Sequence, residues 1–284
     1  MDSERNIDSK VVSDFGDEWA LYSYESKDHA KELKLQFELY SKIVNFDEFE
    51  PSQSTAADFG AGTGRWAEYI INNFSKIWLV EPSSGAYDIL QRKFGKVQKV
   101  FLENSTIAEA GIPDNSLDFA MSLGVLHHIS NTEKALKEIN AKLKNNGLFL
   151  GYLYYRIENK PLFYRVIFSF ANSLRKFISF FPFKVKKNIS YFMALFIYFP
   201  LAKLSKFLNA FNLNTSNFPL HQYANLNFYM MKNDALDRFG TKLEKRFRKD
   251  EIVNLLVATG FDLNSIEFSE SEPFWTFKAR KLSK

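Results

Sequence analysis

The sequence predicts an α/β fold: a doubly wound, mostly parallel seven-stranded sheet with helices on both faces and a helical cap inserted into it. Three observations lead there. Short apolar segments alternate with amphipathic ones from Ser54 to Tyr155. Those short segments are apolar at nearly every position rather than at every second one. A basic, Phe-rich stretch of different character then interrupts the alternation, which resumes near the C-terminus. Strands buried on both faces read as continuous apolar runs, the pattern of a parallel sheet covered by helices.

The elements follow in order. Lys31–Val44 reads as an N-terminal helix. Ala56–Phe59 is a strand, and Trp66, Ile70 and Phe74 at i, i+4, i+8 put a helix after it. Lys76–Pro82 is a second strand, Ala86–Phe94 a helix, Val97–Leu102 a third strand and Ser116–Leu123 a fourth. Ser130 and Glu133 have capping-box spacing ahead of the stripe Leu136, Ile139, Leu143, and Gly147 supplies a left-handed stop. Leu148–Tyr155 is the fifth strand. At the far end, "KDEIVNLLVATGF" is a helix closed by Gly260, and "DLNSIEFS" with "PFWTFKARK" makes a hairpin. The domain reading is 1–53 as an N-terminal helical segment or lid, 54–156 as the core, 157–230 as the inserted cap and 231–284 as the return to the core.

Composition narrows the chemistry. Of 284 residues thirty are Phe and none is Cys, so disulfides, zinc–thiolate sites, iron–sulfur clusters and Cys nucleophiles are excluded, and no metal is expected. The absence of cysteine fits a reducing compartment. The polar start "MDSERNIDSK" lacks the basic and apolar regions of a secretory signal, so the expected location is the cytoplasm, including the inner face of a membrane.

The most informative stretch is "STAADFGAGTGRW", Ser54–Trp66. In a doubly wound sheet ligands bind beyond the carboxyl ends of the strands, and the first strand–helix turn lies there. Gly60, Gly62 and Gly64 let the backbone turn sharply and approach a ligand, and the helix behind them offers unpaired N–H groups. The spacing is not that of a dinucleotide site, G-x-G-x-x-G, because Arg65 stands where helix and strand would need close packing. Nor is it a P-loop, since no Gly-Lys-Ser/Thr follows. What remains is D-x-G-x-G-x-G with an acid, Glu81, ending the second strand, placed to accept two hydrogen bonds from a ribose diol.

With "DFGAGTG", "VEPS", "GIPDNSLDFAMSLGVLHHI" and "LKNNGLFLGYLYY", the segment from about Ser54 to Tyr155 resembles the class I, Rossmann-like S-adenosylmethionine-dependent methyltransferases. "SLGVLHHI", "YLYY", "NDALDRFGTKLEKRF" and "FSESEPFW" are similar to a bacterial group associated with sugar and polysaccharide gene clusters. The resemblance implies S-adenosylmethionine as cofactor. Gly60, Ala61, Gly62, Thr63 and Gly64 would meet its methionine part with Asp58 nearby; Glu81 and Pro82 would hold the ribose side; Asn104 or Ser105 would meet the adenine, where relatives commonly have an aspartate; and Leu123 and Gly124 would follow on the fourth strand.

His127 and His128 come directly after that strand, where a neutral imidazole takes a proton from an attacking hydroxyl or amine; the favoured base is His128, and the plainer alternative is packing under the sheet or contact with cofactor backbone. Tyr154, Tyr155 and Arg156 are expected along the substrate pocket, with Asp234, Asp237 and Arg238 behind them. Asp118 reads as structural, and Glu244 with Arg248 as a helix-surface pair. Trp19, Tyr22 and Tyr24 are expected either as a lid over the cofactor or as packing for the N-terminal helix.

Between Arg156 and Lys206 there are ten Lys/Arg and one acid, Glu158, interleaved with aromatic residues. The preferred account is a helical cap with a basic face; the second is a helix pair lying on an anionic membrane. A span is disfavoured because uncharged Asn188–Ala202 is short and contains Pro200. Nucleic acid is not expected, since there is no N-P-P-Y motif and no RNA-binding module. The expected activity is methyl transfer to an O or N atom of a small molecule, with a sugar or sugar conjugate favoured. A membrane-surface enzyme for an isoprenoid or lipid and a non-catalytic cofactor-binding scaffold are the alternatives.

Overall fold

The computed structural model describes residues 5–21, 30–157, 160–215, 217–269 and 274–283. These form two compact units, one of Met1–Arg156 with Leu243–Lys284 and one of Ile157–Lys242. The insertion therefore extends to Lys242 rather than ending at 230, because the helix carrying Asp234, Asp237 and Arg238 packs into the helical unit. The 1–53 segment belongs to the same unit as the sheet.

In the first unit, β1 (Thr55–Phe59), β2 (Lys76–Val80), β3 (Val100–Glu103), β4 (Leu117–Leu123), β5 (Leu143–Tyr154), β6 (Glu267–Phe268) and β7 (Phe274–Arg280) make one sheet in the order β3-β2-β1-β4-β5-β7-β6. β1 pairs in parallel with both β2 and β4, so strand order reverses there; only β7, between β5 and β6, runs antiparallel. Such a reversal opens a crevice at the carboxyl ends of β1 and β4. Beneath it the strands are mostly apolar: Ala56, Ala57, Phe59, Phe119, Ala120, Met121, Phe149 and Leu150 are fully buried. Phe74 stacks on Phe119 with ring centres 5.5 Å apart, and Phe46 and Phe49 close around the pair at 5.1–5.7 Å. Asp118 has the structural role expected of it: Oδ2 accepts the Thr55 amide at 2.8 Å and pairs with Lys144.

The helices of this unit are α1 (Ser9–Leu21), α2 (Ala30–Ser41), α3 (Ala67–Ile70), α4 (Ser84–Phe94) and α5 (Thr132–Lys142). α1 is an addition to the elements expected from the sequence, and α3 is a single turn running into a 3-10 turn at Ile71–Asn73. Trp66, Ile70 and Phe74 are nevertheless all buried. Asn72 and Asn73, which compete for backbone hydrogen bonds, end the helix early. The cap of α5 is Asn131, not Ser130: its side chain accepts the Lys134 amide at 2.9 Å. The left-handed residue, φ 62°, is Asn146, just before Gly147 in the "NNG" run, and β5 already starts at Leu143.

The second unit is helical. α6 (Leu162–Ile178) is followed by α7 (Phe183–Met193), which continues through a π-helical turn at Ala194–Tyr198 into α8 (Phe199–Ala210); α9 (Phe228–Gly240) completes it. Its core is small, formed by Ile178, Ala194, Tyr198, Ala202, Met231, Ala235 and Phe239. Pro200 does not break the long helix, because the wider π turn just before it takes up the geometry of the missing N–H bond. The result is 28 residues from Phe183 to Ala210, long and apolar enough by length and composition to cross a bilayer, as Asn188–Ala202 alone is not. Back in the sheet unit, the stretch 243–247 lies outside any helix and leads to α10 (Lys249–Ala258). Glu244 therefore pairs with Arg246 at 2.8 Å and not with Arg248 across a helix turn.

Phe119→Ala removes the ring on which this aromatic layer stacks. It is expected to lower the unfolding free energy of the sheet unit by about 3–5 kcal/mol, read from the shift of its urea transition.

Candidate active site

At the mouth of the crevice, Gly60 and Ala61 donate their amides to the Val80 carbonyl at 2.8 and 3.1 Å, which folds the loop back over β2. Gly60, Gly62 and Gly64 have φ of 79°, 56° and 74°, where any side chain is strained. Their surroundings differ, and only one matches the expected close approach to a ligand. A Cβ at Gly60 would collide with Val125, and one at Gly64 with Phe94 and Leu90 of α4. Gly64 serves packing, while Gly60 does so on its Cβ side and still lines the cleft. Gly62 faces the cleft, with the Trp19 indole 3.4 Å from where its Cβ would be. Since α3 is one turn long, the donors here are loop amides rather than a helix N-terminus.

Glu81 fixes this loop. Its Oε2 accepts the Gly62 amide and its Oε1 the Ser83 amide, both at 2.9 Å. A carboxylate has about four acceptor positions, so two remain for a ligand. Burial pushes its pKa up to about 7 against the opposing pull of those two amides. Asp58 lies buried below, its carboxylate without a hydrogen-bond partner among the described residues; burial and then the Glu81 charge push it up to about 8, with Arg65 pulling the other way. Thr63 is fully buried and does not line the cleft.

The cleft is lined from the sheet unit: Gly60, Ala61 and Gly62 from the loop, Glu81 and Pro82 just after β2, Ser105 after β3, Leu123 at the end of β4 with Gly124 behind it, and His128. Ser105 contributes a buried hydroxyl with no partner among the described residues. Asn104 instead donates to the Glu81 carbonyl at 2.9 Å and does not line the cleft, so it supports the wall that Ser105 presents.

The remaining wall is the N-terminal segment, where Trp19 is the one cleft residue expected from the sequence. The Arg65 guanidinium lies between Trp19 at 4.6 Å and Trp66 at 4.5 Å, fastening α1 to the loop. At the other end Asn6 exchanges two 2.7 Å hydrogen bonds with the backbone of Asn131, and Arg5 pairs with Glu109. Between these anchors Val11 and Phe15 line the cleft. Val11, Phe15 and Trp19, at i, i+4, i+8, were the available signal. Tyr22 and Tyr24 lie outside the described residues.

The two histidines separate cleanly. His127 is fully buried, stacked on Tyr154 with ring centres 3.9 Å apart, and burial, His128 and Arg246 hold its pKa well below the usual range. It does not line the cleft. His128 does, with Phe15 edge-on at 5.0 Å. Its Nδ1 is 2.7 Å from the Leu243 carbonyl, which can only accept. Nδ1 therefore carries the proton, and in the neutral ring Nε2 is the basic nitrogen.

The expected substrate wall is largely corrected. Tyr154 is taken up by His127 and by the Arg246 guanidinium 5.0 Å above its ring. Tyr155, on the other face of the strand, is buried against Trp275, and Arg156 is tied to Glu251 at 3.2 Å. Asp234, Asp237 and Arg238 are engaged within the helical unit: Asp234 hydrogen-bonds Tyr223, Asp237 accepts from Thr241, and Arg238 lies over Phe168.

Comparison with known proteins bears on the domain and its fold. Residues 57–151 match the family described as a methyltransferase domain. An uncharacterized methyltransferase of Anoxybacillus flavithermus is 26% identical over 138 residues, 47% of this chain and 63% of that protein, so the match spans under two thirds of the relative's length. The fold resembles that of the Burkholderia thailandensis 1,6-didemethyltoxoflavin-N1-methyltransferase, solved with S-adenosylhomocysteine (TM-score 0.52, 15% identity, 97% of this chain and 87% of that one). It also resembles a putative S-adenosylmethionine-dependent methyltransferase of Listeria monocytogenes (TM-score 0.50, 15% identity, 86% and 99%). The sheet order and the glycine loop with its acid thus stand within a stretch, 57–151, that matches a methyltransferase domain, and the group such a domain would hold is S-adenosylmethionine. The residues fit that group: a buried acid with acceptor positions to spare for a diol, the bare Gly62 backbone, and the unpartnered Ser105 hydroxyl.

Gly62→Val and Glu81→Ala are expected to abolish binding of S-adenosylhomocysteine in calorimetry; unchanged affinity in Glu81→Ala would remove the ribose assignment. Because the ionised Glu81 is the better acceptor for a diol, affinity should strengthen as pH rises through about 7. The ligand-free protein should behave oppositely. Acids whose folded pKa is raised keep protons that the unfolded chain releases, so their share of stability falls as pH rises from about 4.5 to about 7 for Glu81. Glu81→Gln should flatten that slope in thermal unfolding.

Proposed function

We propose that the protein transfers a methyl group from S-adenosylmethionine to an oxygen of a small acceptor, with a sugar or sugar conjugate favoured, and that His128 is its general base. The observation carrying this reading is the Leu243 carbonyl at His128 Nδ1, which leaves Nε2 as the basic nitrogen of a ring lining the cleft beside the glycine loop. When bound, the cofactor supplies an electrophilic methyl group on a sulfonium, so alignment does much of the work.

The chain's own residues then divide the remaining work. Glu81 and the Gly62 backbone hold and orient the cofactor. The α1 wall, fastened through Arg65 and Asn6, keeps water from the cleft. His128 Nε2 would take the proton from the acceptor hydroxyl as the oxygen–methyl bond forms and the methyl–sulfur bond breaks, its electron pair neutralising the sulfonium, and the imidazolium would release that proton once the products leave. His127, buried and neutral behind it, keeps a second charge away from that ring and acts through packing.

An alcohol holds its proton at neutral pH and needs such a base, whereas an acidic phenol or enol does not. A base at Nε2 thus favours a sugar-type hydroxyl; transfer to an amine nitrogen is the second reading. A scaffold without chemistry has no use for the Gly62–Glu81 pair or an oriented imidazole.

His128→Ala is expected to leave S-adenosylhomocysteine affinity within about twofold and to slow turnover of a hydroxyl acceptor by about 10²–10⁴. Undiminished turnover would remove the base and move the acceptor toward acidic groups.

A further inference from the structure

The helical unit carries a surface that methyl transfer does not use. Seventeen of the twenty-four large apolar side chains exposed among the described residues belong to this unit, although it is less than a third of the chain. A monomer seldom leaves that much apolar surface together. Its arrangement is regular. On α6, Phe163, Phe170 and Phe177 recur every seven residues and are 53–74% exposed. Along α7 and α8, Phe192, Phe196, Phe199 and Phe207 lie on one side, while Ala194, Tyr198 and Ala202 on the other form the unit's core.

The charge on these helices has one sign. Lys203, four residues from both Phe199 and Phe207, and Lys206, seven from Phe199, sit within the aromatic face and are exposed; the Lys203 ammonium lies 5.3 Å from the Phe199 ring centre. No Asp or Glu occurs anywhere from Asn159 to Asn233.

We infer that this aromatic and basic face seats the protein on an anionic membrane surface, with α6 and α7–α8 lying in the interface. Aromatic rings enter the headgroup boundary while lysines meet lipid phosphates, the composition of interfacial helices. Charge argues against a second copy of the chain, since pairing the face with itself brings lysines together with no acid to meet them. Aliphatic Leu162, Val166 and Ile167, all exposed, have no use on a nucleic acid. The length of Phe183–Ala210 would permit a span, but the inner side of that helix is committed to α9: buried Lys186 donates to the Gly240 carbonyl at 3.0 Å. A helix with one side packed in a folded unit and the other aromatic and basic fits the interface.

The test is vesicle flotation of the full chain with phosphatidylcholine alone and with phosphatidylcholine mixed with phosphatidylglycerol. Binding is expected only to the anionic vesicles, reversed by salt. Lys203→Glu with Lys206→Glu should weaken partitioning by about fivefold or more per residue, and Phe192→Ser with Phe196→Ser should reduce it to background. Both variants should unfold at the wild-type temperature and bind S-adenosylhomocysteine as wild type does.

Failure to float with either vesicle, equal binding to both, or binding indifferent to both variants would overturn the inference. So would release by detergent alone, which marks a span, or a salt-resistant soluble dimer dispersed by the Phe variants. The inference is independent of the chemistry proposed above. Cofactor binding without flotation defeats only the membrane surface, and flotation without cofactor binding defeats only the methyl-transfer reading.

Discussion

The contact on which the site depends is the pair of 2.9 Å hydrogen bonds from the Gly62 and Ser83 amides to the buried Glu81 carboxylate. Burying a carboxylate is costly unless it is hydrogen-bonded, and these amides meet part of that cost while leaving acceptor capacity toward the cleft. The same bonds tie the end of β2 to the loop after β1 and hold Gly62 at positive φ. The ring of Val125 and α4 contacts around Gly60 and Gly64 then allows the loop no other course. Asp58 below has no hydrogen-bond partner among the described residues, so its charge state is coupled to that of Glu81 and to whatever cation enters above.

The sequence was most legible where one residue type has one physical use. Strands apolar at nearly every residue are buried on both faces, which is what a mostly parallel sheet covered by helices requires. Arg65 in place of a third dinucleotide glycine pointed away from NAD. Legibility failed where two neighbours competed for one position, as Ser130 and Asn131 do for the cap, Asn146 and Gly147 for the left-handed turn, and Asn104 and Ser105 for the cleft. In each pair the choice depends on tertiary packing that no local pattern carries. Tyr155 and Arg156 were misplaced for a related reason: alternation sends Tyr155 to the face opposite Tyr154, and Arg156 stands beyond the strand, within reach of Glu251 on α10. The contribution of α1 was hidden in a segment that intersperses acids with its apolar residues, although Val11, Phe15 and Trp19 share one face.

The two units divide the chemistry of the chain between them. The sheet unit sets two buried acids with raised pKa, Asp58 and Glu81, at one crevice. The helical unit keeps a seven-residue core and turns most of its Phe and Lys side chains outward. The mild positive charge of the whole chain conceals this separation, because the basic excess of the helical unit is offset by an acidic excess elsewhere.

The most direct test of the central claim is calorimetric titration of the purified protein with S-adenosylhomocysteine, with NAD as the control. Micromolar binding of the first and none of the second is the predicted result. Binding of NAD, or of neither compound, would contradict the account, since the Gly62 loop and Glu81 would then be a structural turn and not a cofactor site.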